Sequence, residues 1–429
     1  MTHFVLLCPA ANGHLNPMTS LGFELRQRGH RVTLVGILDA QPAAIAAGLD
    51  FCPIGETAFP LGAMSGSFKR LGELSGTAAL KHTIDLFTQV TLTYLQEAPA
   101  ALRQLGAEVL LIDQTCFGGN TIADQLELPF VSVCCALMLN RDRLAPPLNT
   151  VWPYSPSRWA QLRNWSGYQL LDQVGRGLRR MLDAERHRLH LPPVVRINDN
   201  YSRLAQVSQQ PSAFEFPRAD LPDTFHFTGP WANPVSRTKA EFPFERLTNQ
   251  PLIYASLGTI QNRLFKTFEA IAQACQGLDA QLVIALGGGS DPQTLPPLPG
   301  SPLVVGYAPQ LELLQRASLT ITHAGLNTTL ESLSNGVPMV AIPITNDQPG
   351  VAARIAWTGT GAVVPLRQAT AANLRRAVTT VLGEDSYRTR AQAMQRTIQT
   401  GGGVQQAADV VEQVARTGRP VVANAVPGN

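Results

Sequence analysis

The chain has 429 residues, 45% hydrophobic and only 15% charged, with a formal net charge of +3; at about two to three times an ordinary domain length, it predicts two domains with sizeable cores. So mild and scattered a positive surplus offers no face for nucleic acid, and no apolar run approaches the roughly 20 residues of a membrane-spanning helix. The six cysteines, Cys8, Cys52, Cys116, Cys134, Cys135 and Cys275, form neither a CxxC pair nor a zinc-type cluster, which predicts a reducing compartment and no metal.

Met1 to Cys8 lacks the basic region of a secretory signal, so a cytoplasmic protein, at most peripheral to a membrane, is expected. Phe4 to Cys8 reads as a buried strand, Pro9 to Gly13 as a turn, and Asn16-Pro17 as the start of a helix ending near Gly29. Arg31 to Leu38 is a second strand, and strand, helix, strand in this order implies a parallel sheet. Val109 to Ile112 and Phe130 to Cys134 extend it around a helix near Thr121 to Leu126. Residues 58 to 105 and 150 to 200 read as insertions of loops and helical patterns such as Thr83 to Leu95. Arg176 to His190 is a basic amphipathic helix, read as a solvated face or as a contact for anionic lipid headgroups.

Pro and Gly then cluster from Phe216-Pro217 to Phe242-Pro243, which marks a linker. The expected division is 1–230, a linker 231–249, and 250–403, followed by a terminal helix and tail, 404–429, with the helix returning to the first domain. The second cycle starts with the strand Leu252 to Ser256, a helix from Leu264 to Cys275 and the strand Leu282 to Ala285. Val304-Val305, Thr320 to Thr322 and Met339 to Ile342 continue it. Two doubly wound α/β domains in tandem make a cleft.

The densest chemistry runs from Gly306-Tyr307-Ala308-Pro309-Gln310 through Thr322-His323-Ala324-Gly325-Leu326-Asn327-Thr328, Glu331 and Gly336-Val337-Pro338 to Asp347-Gln348. Asn327 and Thr328 stand where a strand turns into a helix, so free N–H groups and a positive helix end converge and can hold a diphosphate. His323 precedes that helix and can donate to a diphosphate oxygen or be structural. Glu331, one turn beyond Asn327, can accept from ribose hydroxyls; alternatively, Thr328-x-x-Glu331 is a capping box. Asp347-Gln348 suits sugar hydroxyls or forms a solvated turn, and is expected in an exposed loop. Ser256-Leu257-Gly258-Thr259 ends a strand, where Gly258 admits a phosphate to the backbone and Thr259 donates to it, or where an ordinary turn begins. Gly287 to Ser290 reads as a flexible loop, and neither a GxGxxG fingerprint nor a Walker lysine is present.

In the first half, His14 precedes the first helix and faces the cleft, where an imidazole can take a proton from a hydroxyl. Asp113 ends a strand of the same sheet and can orient that ring, unless the two never meet.

These motifs resemble the inverting UDP-dependent glycosyltransferases of the GT-B fold, and segments such as Asp113-Gln114, Val133 to Arg141, Ser256 to Gln261 and Asp347 to Ile355 are similar to bacterial zeaxanthin (carotenoid) glucosyltransferases over essentially the whole chain. The resemblance implies His14 as general base with Asp113 as its partner. It implies Gly258, Thr259, His323, Gly325, Asn327 and Thr328 around the diphosphate, Glu331 at the ribose, Tyr307, Ala308 and Gln310 at the nucleoside, and Asp347 and Gln348 at the sugar. It further implies UDP-glucose as donor co-substrate, no cofactor or metal, and a lipophilic hydroxylated acceptor. Tyr307 replaces a base-stacking Trp of plant members, and Leu326 replaces a Trp near the sugar. A phenolic or macrolide acceptor, a non-transferring UDP-sugar enzyme and a nucleotide-sugar-binding protein are the competing readings.

Overall fold

Apolar runs bounded by turn residues become strands, and each strand hands over to a helix that returns the chain to a parallel neighbour. The computed structural model describes residues 1–73, 76–231, 240–259, 264–288 and 291–423. Among these, β1 (His3–Leu7), β2 (Arg31–Gly36), β3 (Asp50–Pro53), β4 (Val109–Asp113), β5 (Phe130–Cys134), β6 (Gln206–Ser208) and β7 (Phe225–Phe227) form one parallel sheet in the order 3-2-1-4-5-6-7. A second parallel sheet holds β8 (Leu252–Ser256), β9 (Gln281–Ala285), β10 (Leu303–Val305), β11 (Ala317–Thr322), β12 (Met339–Ala341) and β13 (Gly361–Val363) in the order 10-9-8-11-12-13. Strand order reverses between β1 and β4 and again between β8 and β11. Crevices open at such reversals, at the carboxyl ends of the strands. Every residue of β1 and β8 is buried, as expected for central strands covered on both faces.

Three sequence expectations change. The first helix spans Asn12–Gln27, four residues earlier than Asn16, and carries Pro17 inside it. His14 therefore sits in its first turn and not in the loop before it. Residues 63–105 are two helices, Ala63–Glu73 and Gly76–Leu105, where loops around a helical pattern such as Thr83 to Leu95 were expected, and the helix expected at Arg176 to His190 is part of one of 31 residues, Arg158–Arg188. Asp347 does not lie in an exposed loop: it is the half-buried residue just before the helix Gln348–Thr358, without a side-chain capping bond, and Gln348 is buried. Pro349 fits there because the first turn of a helix needs no N–H.

The last helix, Gly403–Thr417, packs its Ala407, Val411 and Val414 into the core of the first sheet. Arg28 reinforces that contact with bonds to Asp409 and Glu412 at 2.6 and 2.7 Å. The middle of the linker, 232–239, the residues Ile260 and Gln261 after Thr259, the end of the Gly287–Ser290 loop, and the tail beyond 423 lie outside the described residues.

Candidate active site

The two strand reversals face each other across a cavity of about 870 Å³ lined by both halves. On the first half, His14 follows β1 and Asp113 ends β4. The register that sets Leu7 beside Ile112 brings these strand ends together, and His14 Nδ1 lies 2.9 Å from Asp113 Oδ2. The Asp113 carboxylate also accepts from the Thr115 N–H at 2.7 Å. With Nδ1 held by a carboxylate, the proton sits there and the Nε2 lone pair is left for the cavity. Burial pulls the imidazole's pKa down, but Asp113 pushes it up by more, so its net shift is upward. Asp113 itself is pulled below the ordinary carboxylate range, because the His14 partnership outweighs the cost of burying it.

Across the cavity the helix Leu326–Ser334 begins with Gly325 as its N-cap and no side-chain cap. Thr328 is consequently the third helical residue, and the capping-box reading of Glu331 fails: a cap must precede the helix. Glu331 is instead buried and accepts from Gln310 Nε2 at 2.6 Å. Gln310 also bonds Thr328 Oγ1 at 3.3 Å and accepts from the Tyr254 hydroxyl at 3.1 Å. Tyr307, 42% exposed, presents its ring at the same wall, beside the buried Ala308.

His323 is half-buried, but its Nδ1 is shut off from solvent and finds no hydrogen-bond partner among the described residues. Burial drives its pKa to about 4, a backbone bond at Ser256 opposing the shift. The ring is therefore a neutral donor or acceptor. Gly258 and Gly325 are required beside it, since a Cβ on either would come within 2.6 Å of His323 Nε2. Gly258 also has φ of +79°, a conformation side chains disfavour. Thr259 follows it at the cavity edge.

Asn327 departs from the simple expectation of a diphosphate ligand. Its Nδ2 donates to the Gly13 carbonyl at 3.0 Å and its Oδ1 accepts from Gln209 Nε2 at 2.7 Å, both on the other half. Pro17 explains the first bond: lacking an N–H, it leaves the carbonyl four residues earlier, Gly13, without its helical partner. Asp347 Oδ2 accepts from the Leu137 N–H at 3.1 Å, again across the halves, and burial raises its pKa. Gln348 lines the cavity, yet its Oε1 is occupied by the N–H groups of Ile344 and Thr345, each at 2.9 Å. Only its amide nitrogen remains for a ligand.

Sequence reading missed Gln209, Tyr254 and Thr115. Gln209 follows β6, a strand of three residues too short to show alternation, so only its place after a strand end could have marked it. The remaining wall is apolar, built from Ile37, Met64, Phe68, Leu86, Phe87 and Val90. Among the described residues no group of three His, Cys, Asp or Glu could hold a metal ion, and no helix is long and apolar enough to cross a membrane.

Two facing Rossmann-like domains with a cleft at both strand reversals define a GT-B protein, and the site has the parts a glycosyl transfer needs. The sequence profile of the family described as UDP-glucoronosyl and UDP-glucosyl transferase matches residues 193–398. Zeaxanthin glucosyltransferase of Pantoea ananas is 32% identical over 98% of this chain and 98% of its own. The zeaxanthin glucosyltransferase of Pseudescherichia vulneris is 31% identical over 96% and 98%. The solved glycotransferase of kitacinnamycin superposes with a TM-score of 0.76 at 23% identity, covering 96% of this chain and 98% of that one. The chain belongs to the UDP-glycosyltransferase family and is a glycosyltransferase.

Proposed function

We propose that the protein transfers glucose from UDP-glucose to a hydroxyl of a carotenoid such as zeaxanthin, with inversion and without a metal, at one or both ends of the acceptor. The observation that carries this reading is the cavity itself: a His–Asp pair and an apolar wall on one side, and a hydrogen-bonding wall on the other. The two zeaxanthin glucosyltransferase relatives support the choice of acceptor. Residues 1–230 bind the acceptor and 250–403 the donor, joined by the linker 231–249.

In the proposed reaction the acceptor oxygen attacks the anomeric carbon from the face opposite the diphosphate. The new C–O bond forms as the bond to the diphosphate oxygen breaks, the acceptor proton passes to His14 Nε2, and the electron pair leaves on UDP. Asp113 stabilises the imidazolium formed. The N–H groups at the start of Leu326–Ser334, with His323, Thr328, Thr259 and the close backbone at Gly258, neutralise the departing diphosphate. Glu331 takes the ribose hydroxyls, Tyr307 stacks on the base with Ala308 and Gln310 beside it, and Asp347 and Gln348 hold the hexose. Asn327 exchanges its contacts with Gly13 and Gln209 for the diphosphate as the donor enters.

A carotenoid is comparable in length to the roughly 30 Å hydrocarbon thickness of a bilayer, so it extends out of the cavity and is drawn from a membrane by a cytoplasmic enzyme. Incubation with UDP-glucose and a panel of carotenols and flavonols, read by mass, tests the assignment. A β-glucoside of the carotenol is expected. Conversion of a flavonol while every carotenol is left untouched would replace the acceptor, and UDP-sugar turnover with no acceptor at all would replace the reaction class.

A further inference from the structure

The helix Arg158–Arg188 has one face buried and one bare. Met181 and Leu182 pack on the core, and Ala160 and Asn164 are buried. On the outward face Trp159, Leu162, Gln169, Gln173, Arg176 and Arg180 recur at helical spacing and are all exposed. Trp159 is 74% exposed, Leu162 52%, Trp165 59% and Leu170 68%, an unusual concentration of large apolar side chains in water. The sequence carries no acidic residue between Val151 and Leu171. Further along, Arg179, Arg186 and Arg188 are tied to Asp183, Asp124 and Glu185. Arg176 and Arg180 have no ion-pair partner among the described residues and continue the same stripe.

We propose that this face docks on an anionic lipid bilayer, the two tryptophans and two leucines seating at the headgroup boundary and Arg158, Arg176 and Arg180 meeting lipid phosphates. Tryptophan prefers that depth because its ring is apolar and its N–H is polar. A helix with exposed tryptophans and leucines, flanking arginines and no acid among them except Asp172, which is tied to Arg141, matches the charge and polarity of that boundary. The basic stretch Arg176 to His190 alone is a weaker device, since three of its five arginines are already paired within the protein. Docking gives the lipophilic acceptor proposed above a route into the cavity, and to that extent rests on that reading.

The test is sedimentation of the full chain with vesicles that contain no acceptor, so that its outcome is independent of the glucosylation assay. Binding to equimolar phosphatidylglycerol and phosphatidylcholine is expected, with a blue shift of tryptophan emission and weak binding to phosphatidylcholine alone. Replacing Trp159, Leu162, Trp165 and Leu170 together by Ser should weaken partition at least about tenfold. Arg176→Gln and Arg180→Gln, at exposed positions without an ion pair among the described residues, should each cost roughly fivefold. Absence of binding by the wild type, or unchanged binding by these variants, overturns the proposal. A concentration-dependent dimer of the wild type that the Ser variant converts to monomer, without vesicle binding, assigns the face to a second copy of the chain and overturns it too.

Discussion

On the proposed donor wall, Tyr254, Gln310, Thr328 and Glu331 are joined by side-chain hydrogen bonds of 2.6 to 3.3 Å, whereas across the cavity Met64, Phe68, Leu86 and Phe87 offer carbon and shape. A polar network recognises a ligand by leaving a buried donor or acceptor unsatisfied when the ligand is wrong. An apolar wall discriminates far less, because one methylene more or less changes binding only modestly. Donor choice in this protein should thus be sharp and acceptor choice broad. The His14–Asp113 pair stands on the first half, and in the proposed reaction it acts at the junction, where both walls must be correct at once.

Removing that junction should have the largest effect. His14→Ala should lower kcat about 10²- to 10⁴-fold, the usual worth of a positioned base, with UDP affinity by calorimetry unchanged. Retained turnover would show that neither wall needs the pair. The pH profile sharpens the same point. A base must be neutral, and the net pKa of His14 lies above its ordinary 6.5, so kcat/KM should rise with pH through a limb above that value. Asp113→Asn removes the leading upward push and leaves burial opposed by the Asp347 charge; the limb should move to lower pH while kcat falls.

The walls are held together by a buried ion pair. Arg354, in the helix that begins after Asp347, reaches Glu215 on the first half with Nε–Oε2 at 3.0 Å. Burial would raise the Glu215 pKa, but Arg218 and Arg354 bring it down to about 2 from its ordinary 4.5. A depressed carboxylate pKa adds stability above the unfolded value that is lost as pH falls from 4.5 towards 2. Breaking a buried pair leaves a charge without compensation, so Glu215→Gln should destabilise by about 3–5 kcal/mol and flatten that acid limb in thermal melts. If the melting temperature is unchanged, the halves are tied elsewhere, through Asp347–Leu137 and Asn327–Gly13.

The geometry of the proposed donor wall was legible because its motif is local: strand, turn and helix N-terminus follow one another from Leu319 to Glu331. The parallel strands were legible for the same reason, as continuous apolar runs between turn residues. What failed was non-local or masked by turn chemistry. His14 and Asp113 are 99 positions apart, and only the pairing of β1 with β4 brings them into contact. Gly62, Gly66 and Gly76 broke the helical pattern of 63–105 on paper, yet apolar burial holds those helices. Asp347-Gln348, followed by Pro349, read as an exposed loop, although proline at the start of a helix is favourable. Gln209 and the Asn327–Gly13 bond arise from how the halves meet, and single-chain periodicity carries no record of that.

Within the donor wall, Glu331→Ala should raise the KM for the donor about tenfold to a hundredfold with a smaller change in kcat. A hydrogen bond to a buried charged group is worth about 1.5–3 kcal/mol, and Gln310 would lose its acceptor as well as the ribose its ligand. An unchanged donor KM would return Glu331 to a purely structural role.

The smallest effect belongs to the apolar wall. Phe87 stands edge-on to Phe117 with ring centroids 5.7 Å apart and is 37% exposed, so it loses little in the empty cavity. Phe87→Ala removes surface that only a bound acceptor would cover. At about 25 cal/mol per Å² of apolar area, a partly covered ring contributes roughly 1–1.5 kcal/mol, or about five- to tenfold in the acceptor KM. The donor KM should stay constant, and Phe87→Leu should recover most of the loss because shape and not hydrogen bonding sets this wall. A comparable loss in donor KM for Phe87→Ala would mean that the two walls are not independent, and the division of labour between them would have to be redrawn around the helix Gly76–Leu105.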